Sequence, residues 1–136
     1  MEEVHLNGKI RVLVASTDTR LRKLLYSTLT RDRRFDVVAQ ATDGGAVVST
    51  GASFDVAVVD VAIAGLGILG VMSTLSRSLA KPVVVVVSRT DAIYLKHACL
   101  AEGAADYLVL PDDLLELPDR VTKTMNAATV EVVVET

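Results

Sequence analysis

Five short runs of mostly apolar residues, at positions 10–15, 35–41, 56–59, 83–87 and 107–109, recur along the chain with helix-length segments between them. The run Val83-Val84-Val85-Val86-Val87 has no polar alternation. Runs of this kind read as strands covered on both faces, the environment of a parallel sheet flanked by helices. Between the first two runs, Leu21, Leu24, Leu25 and Leu29 share one helical face over 19–30, with Asp18 placed to cap it. Asp43-Gly44-Gly45 marks a turn into a short helix carrying Ala46, Val47 and Val48 and closed by Gly51. A third helix is expected within 66–79, its start loosened by Gly65, Gly67 and Gly70, and a fourth over 91–101, stopped by Gly103. The fifth is expected over 114–125, capped by Asp112 or Asp113, with Pro118 forcing a kink or a later start.

A strand–helix order repeated five times implies right-handed crossovers and helices on both faces of one sheet. The predicted fold class is therefore α/β, a doubly wound five-stranded parallel sheet of flavodoxin-like order 2-1-3-4-5. Ligand sites in such sheets lie at the carboxyl ends of the strands, where the strand order reverses. The residues there are Ser16-Thr17-Asp18, Asp60, Ser88 and Leu110-Pro111. The domain is expected to span 9–126, between an N-terminal extension over 1–8 and a C-terminal tail over 127–136.

A chain of 136 residues has room for one ordinary domain, and 51% hydrophobic with 23% charged residues is far too apolar for disorder. A net charge of −3 implies no nucleic-acid surface, and the cluster Arg31, Arg33, Arg34 reads as a solvated helix end. The single cysteine, Cys99, excludes an internal disulfide framework and suits a reducing compartment. The first residues carry no apolar run and the longest such stretch, near Val83, is too short to span a bilayer, so no membrane is expected and the location predicted is cytoplasmic. His5 and His97 stand too far apart in sequence to suggest a metal site or a catalytic base.

Two segments carry a family resemblance. Phe54-Asp55-Val56-Ala57-Val58-Val59-Asp60 resembles the strand that ends in a phosphoacceptor aspartate, and Gly103-Ala104-Ala105-Asp106-Tyr107-Leu108 with Pro111 resembles a fifth strand and its proline. With Val37-Val38-Ala39-Gln40-Ala41-Thr42-Asp43-Gly44, they make the stretch from Lys9 to Met125 similar to a CheY-like receiver domain of bacterial two-component response regulators. Lys9-Ile10-Arg11-Val12-Leu13-Val14 and the Val87-Ser88 ending are similar to receivers attached to chemotaxis methylesterases. The resemblance implies phosphoryl transfer to the aspartate, managed by Mg²⁺ on acidic oxygens, a lysine and a hydroxyl. It equates Asp60 with the acceptor, and Ser88 and Tyr107 with the switch pair.

The departures from that pattern decide the reading. Ser16 and Thr17 stand where the resemblance expects an acidic pair, Leu110 stands for the lysine, and Ile63-Ala64 replaces the Met-Pro after the acceptor. Neutral hydroxyls hold Mg²⁺ poorly, and Asp18 is expected to serve as a helix cap before it serves a metal. Leu110 is expected to set apolar surface beside Asp60, disfavouring its charged form. Asp60 then reads as a strand-end carboxylate pairing with nearby hydroxyls or amides, and Ser88 and Tyr107 as pocket-edge residues.

The leading expectation is a pseudo-receiver: no enzyme, no cofactor, and signalling through phosphorylation-independent protein contacts. The alternative is an active phosphoacceptor, phosphorylated on Asp60 by a histidine kinase, with weak Mg²⁺ at Asp18 and Asp60. A third reading, a flavin or nucleotide binder, rests on Ser16, Thr17 and Thr19 before a helix and lacks the glycines of a phosphate loop. The resemblance puts partner proteins, a histidine kinase or another regulator among them, or a second copy on the face of helix four, strand five and helix five, around Tyr94, Lys96, Tyr107 and Pro118. The β-forming tail Val130-Glu131-Val132-Val133-Val134-Glu135 is expected either to add a strand, to this sheet or to another chain's, or to stay disordered. With no effector region after Met125, output is expected to pass through a partner or self-association.

Overall fold

The computed structural model describes residues 8–135, with side chains as far as Ala128. Five strands, β1 (Ile10–Ala15), β2 (Phe35–Ala41), β3 (Val56–Asp60), β4 (Val83–Ser88) and β5 (Asp106–Val109), form one sheet. Its order is β2-β1-β3-β4-β5, and every neighbouring pair is parallel. The helices are α1 (Thr19–Thr30), α2 (Gly44–Ser49), α3 (Gly67–Ser76), α4 (Ile93–Ala101) and α5 (Leu117–Glu135).

Strand alternation sends the side chains into two cores. Leu13, Ala15, Ala57, Val59, Val84 and Val86 point to the side of α2, α3 and α4, where they join Val47, Val71, Met72 and Cys99. Val12, Val14, Val56, Val58, Val85 and Val87 point to the other side and join Leu21, Leu25 and Leu29 of α1 with Leu117 and Val121 of α5. Each fully buried leucine or valine contributes about 1.5–3 kcal/mol, which is why the strands read as unbroken apolar runs. Gly44 is required where α2 meets the β3–α3 loop: a Cβ there would sit 2.0 Å from the Gly65 carbonyl oxygen. Gly103, at φ +107°, ends α4 as its position in the sequence suggests.

Of the two outcomes expected at Pro118 the later start is the one realised, and two other expectations change. Residues Leu114–Glu116 form a single 3₁₀ turn, and α5 starts only at Leu117, which puts Pro118 in the first helical turn, where its missing N–H costs nothing. Neither Asp112 nor Asp113 caps that helix; the Asp113 carboxylate turns back to accept from the Val109 amide at 2.8 Å. The segment 127–135, expected as a strand-forming or disordered tail, continues α5 as helix to Glu135. Extending an existing helix fixes one residue per added hydrogen bond and needs no new nucleus, so weak β preferences lose there. Residues 1–7, most of the expected N-terminal extension and including His5, lie outside the described residues, as does Thr136.

Candidate functional site

The carboxyl ends of β1, β3 and β4 meet where the strand order reverses, and each ends in a buried polar residue. Ser16, Asp60 and Ser88 are the buried polar side chains among the described residues, in a core otherwise apolar. A buried carboxylate requires donors, and Asp60 has two: the Ser16 hydroxyl donates to Oδ2 at 2.8 Å and the Ala62 amide to Oδ1 at 3.0 Å. The Ser16 oxygen in turn accepts from the Asp18 amide at 3.0 Å, while the Ser16 carbonyl accepts from Arg22 Nη1 at 2.9 Å.

The two residues after Ser16 reach in other directions. Thr17 Oγ1 accepts from the Ala64 amide at 2.9 Å, joining the β1–α1 loop to the β3–α3 loop. Asp18 caps α1, its Oδ1 accepting from the amides of Arg20 at 2.8 Å and Leu21 at 3.3 Å. Its Oδ2 accepts from Arg89 Nη1 at 2.7 Å, across to the β4–α4 loop. The Arg89 guanidinium and then the two helix amides hold the Asp18 carboxyl below its ordinary range. Three consecutive residues thus tie their loop to the end of β3, to the loop after it, and to the loop after β4.

Ser88 is self-contained: its Oγ donates to the Thr90 carbonyl at 2.8 Å and accepts from the Thr90 amide at 3.1 Å. Tyr107 is 2% exposed on the α4 side of the sheet, and its hydroxyl is buried with no hydrogen-bond partner. This removes Tyr107 from the expected docking face; β5 pairs it with Val86 and directs both into the core beneath α4. Tyr94 is 73% exposed and Lys96 exposed, so these two do lie on the surface of α4. The Leu110 side chain is buried among the residues packed under α1 and α5, with Leu21, Leu25 and Leu117, and belongs to that core. The partner that residue patterns did not single out is Arg89; its one available signal was its place directly after Ser88 at the end of β4.

Among the described residues, no group of three or more His, Cys, Asp or Glu side chains is arranged to hold a metal ion. No described helix is long and apolar enough to cross a membrane.

No family model matches the chain. Over 108 residues it is 36% identical to protein-glutamate methylesterase/protein-glutamine glutaminase 5 of Myxococcus xanthus, an alignment covering 77% of this chain and 31% of that protein. The chain therefore spans about a third of the length of that curated relative. Among solved structures, the signal receiver domain of NarL from Mycobacterium tuberculosis superposes with a TM-score of 0.81 at 23% identity, covering 88% of this chain and 98% of that one. The response regulator domain of Thermotoga maritima CheB gives 0.80 at 23% identity, over 87% of this chain and 97% of the other. A Francisella response regulator receiver domain gives 0.76 at 24% identity, over 88% of this chain and 99% of its own.

Proposed function

We propose that this chain, which has the receiver-domain fold of the response regulators, is a signal-transduction module that works by protein contact without phosphorylation of Asp60. The observation that carries this reading is the use already made of the pocket's polar atoms. Ser16 is committed to Asp60, Thr17 to Ala64 and Asp18 to Arg89, while both Asp60 oxygens accept hydrogen bonds from the chain itself.

Mg²⁺ demands near-octahedral oxygen ligands and gives up its waters reluctantly. Here Asp18 carries a guanidinium and two amides, and the positions beside it offer neutral hydroxyls. These residues do not fit the ion, and we derive no phosphoryl-transfer step through it. Leu110, buried in the core under α1 and α5, supplies no cation to replace a lysine. The same reading takes the chain to be non-enzymatic: the relative's methylesterase name covers a much longer protein, of which the alignment spans 31%, and His97 stands exposed on α4. The receiver-type fold supports a cytoplasmic setting, with a histidine kinase or another regulator as partner.

The test is intact mass after incubation with acetyl phosphate and Mg²⁺, with amide NMR spectra during addition of beryllofluoride, a mimic of the aspartyl phosphate. No adduct and no shifts at Ser16, Asp60 or Ser88 are expected. A stoichiometric adduct lost in Asp60→Ala would establish the active-acceptor alternative and end this reading.

A further inference from the structure

The two ends of α4 are held by different means. Toward its C-terminal end Cys99 is wholly buried, whereas Ile93 and Tyr94 at its start are 65% and 73% exposed. Cys99 is the helix's one fully buried residue. The N-terminal end has no side-chain cap: Ala92 occupies that position, and no acidic residue stands in the first turn. What precedes it is the loop 89–92, which among the described residues is tied to the β1–α1 loop by Arg89 Nη1 on Asp18 Oδ2 at 2.7 Å, a bond between residues 71 apart in sequence.

Asp18 is a well-prepared acceptor for that bond. Its other oxygen is fixed by the α1 amides, so the carboxylate is oriented whether or not Arg89 is present. The Arg89 guanidinium makes the reach from β4–α4 back to β1–α1.

We propose that the Arg89–Asp18 pair is an electrostatic latch that sets the position of the β4–α4 loop and the exposed start of α4; this rests on the reading that Asp60 stays unmodified. The pair is half-exposed, with side chains 52% and 33% accessible, so it biases the loop's population and does not lock it. High salt weakens it, because the pair is solvent-exposed and the Debye length shrinks to about 3 Å near 1 M, close to the pair's own separation. Release frees Ile93 and Tyr94 to move while Cys99 still anchors the far end of the helix.

The experiment is amide hydrogen exchange by NMR on the full chain, with Asp18→Asn, Arg89→Ala and the double variant, at low and high sodium chloride. Asparagine caps helices as well as aspartate, so the first variant removes the charge pair and keeps α1; Arg89→Ala does not touch that cap at all. The reporters are the Leu95 and Lys96 amides, both bonded to the Ala92 carbonyl, with those of Arg20 and Leu21 as controls in α1. Each single variant is expected to speed exchange at the reporters by roughly two- to five-fold, the scale of an exposed pair. The double variant should be no faster than either single one, and high salt should accelerate the native chain but not the double variant. Unchanged exchange in Arg89→Ala, or single effects that add, overturns the latch. An acetyl phosphate adduct on Asp60 in the same samples would instead overturn the underlying reading, so the two failures are separable.

Discussion

The Ser16 hydroxyl does structural work that a carboxylate could not. A second carboxylate at position 16, set against Asp60 where the Ser16 oxygen lies 2.8 Å away, would repel it unless a cation stood between them; a hydroxyl donates instead. Ser16→Ala should therefore destabilise the fold by about 1–3 kcal/mol, because it leaves a buried Asp60 oxygen without its donor. Urea unfolding measures this, and a change within error would mean that water substitutes for the hydroxyl. Tyr107 is the opposite case. Its hydroxyl is buried and unpartnered, so it already bears the desolvation cost that Ser16 removes from Asp60. Tyr107→Phe is expected to leave stability unchanged or raise it by up to about 1 kcal/mol, read as a higher urea midpoint at constant slope. A loss of stability would show that the hydroxyl has a partner in solution.

At the scale of elements, α5 is joined to β5 by polar contacts as well as by its core face. Arg120 Nε and Nη2 donate to the two Asp106 oxygens at 2.8 and 2.6 Å, a bidentate arrangement, with Glu116 and Asp113 near the same guanidinium. Burial pushes the Asp106 carboxyl up, but the Arg120 guanidinium, the Tyr107 amide and the Lys96 charge together bring it below its ordinary 3.8. A carboxyl depressed on folding binds fewer protons in the native state, so its stabilisation is full above 3.8 and is lost as pH falls below it. Arg120→Ala should cost about 1 kcal/mol near neutral pH, discounted for the partial exposure of both partners, and the cost should shrink as the pH falls below that value. Thermal melts of both chains across the acid range check it; a constant difference would detach Arg120 from Asp106. Packing is stricter between α2 and the β3–α3 loop. Gly44→Ala drives a Cβ into the Gly65 backbone, and a loss of about 1–3 kcal/mol is expected in urea unfolding, since backbone must shift to admit it.

For the whole molecule, the strand order and both cores were legible because period and burial are written along the chain: Val83 to Val87 admits no exposed face, and Leu21, Leu25 and Leu29 admit one buried stripe. What could not be read is what depends on direction at a strand end or on partners far away in sequence. Leu110 lies beyond β5 and its side chain packs under α1 and α5, while Arg89 finds Asp18 across 71 positions. Tyr107 likewise took its inward place from its pairing with Val86, not from any local signal. The pairing of Asp60 with a hydroxyl and an amide and the capping by Asp18 were thus legible, whereas the Arg89 contact was not. On the proposed reading, a site completed by its own hydroxyls and guanidinium is expected to gain nothing from a cation. An ion bound to the native state alone adds RT ln(1 + [L]/Kd), about 2.7 kcal/mol at a hundred times Kd, and a domain of this size would answer with a rise of several degrees in its melting temperature. Melts of this chain in EDTA and in millimolar Mg²⁺ are expected to coincide. A clear rise with Mg²⁺, abolished in Asp60→Ala, would mean that the Ser16 and Arg89 contacts open in solution and that a metal competes for the carboxylates they hold.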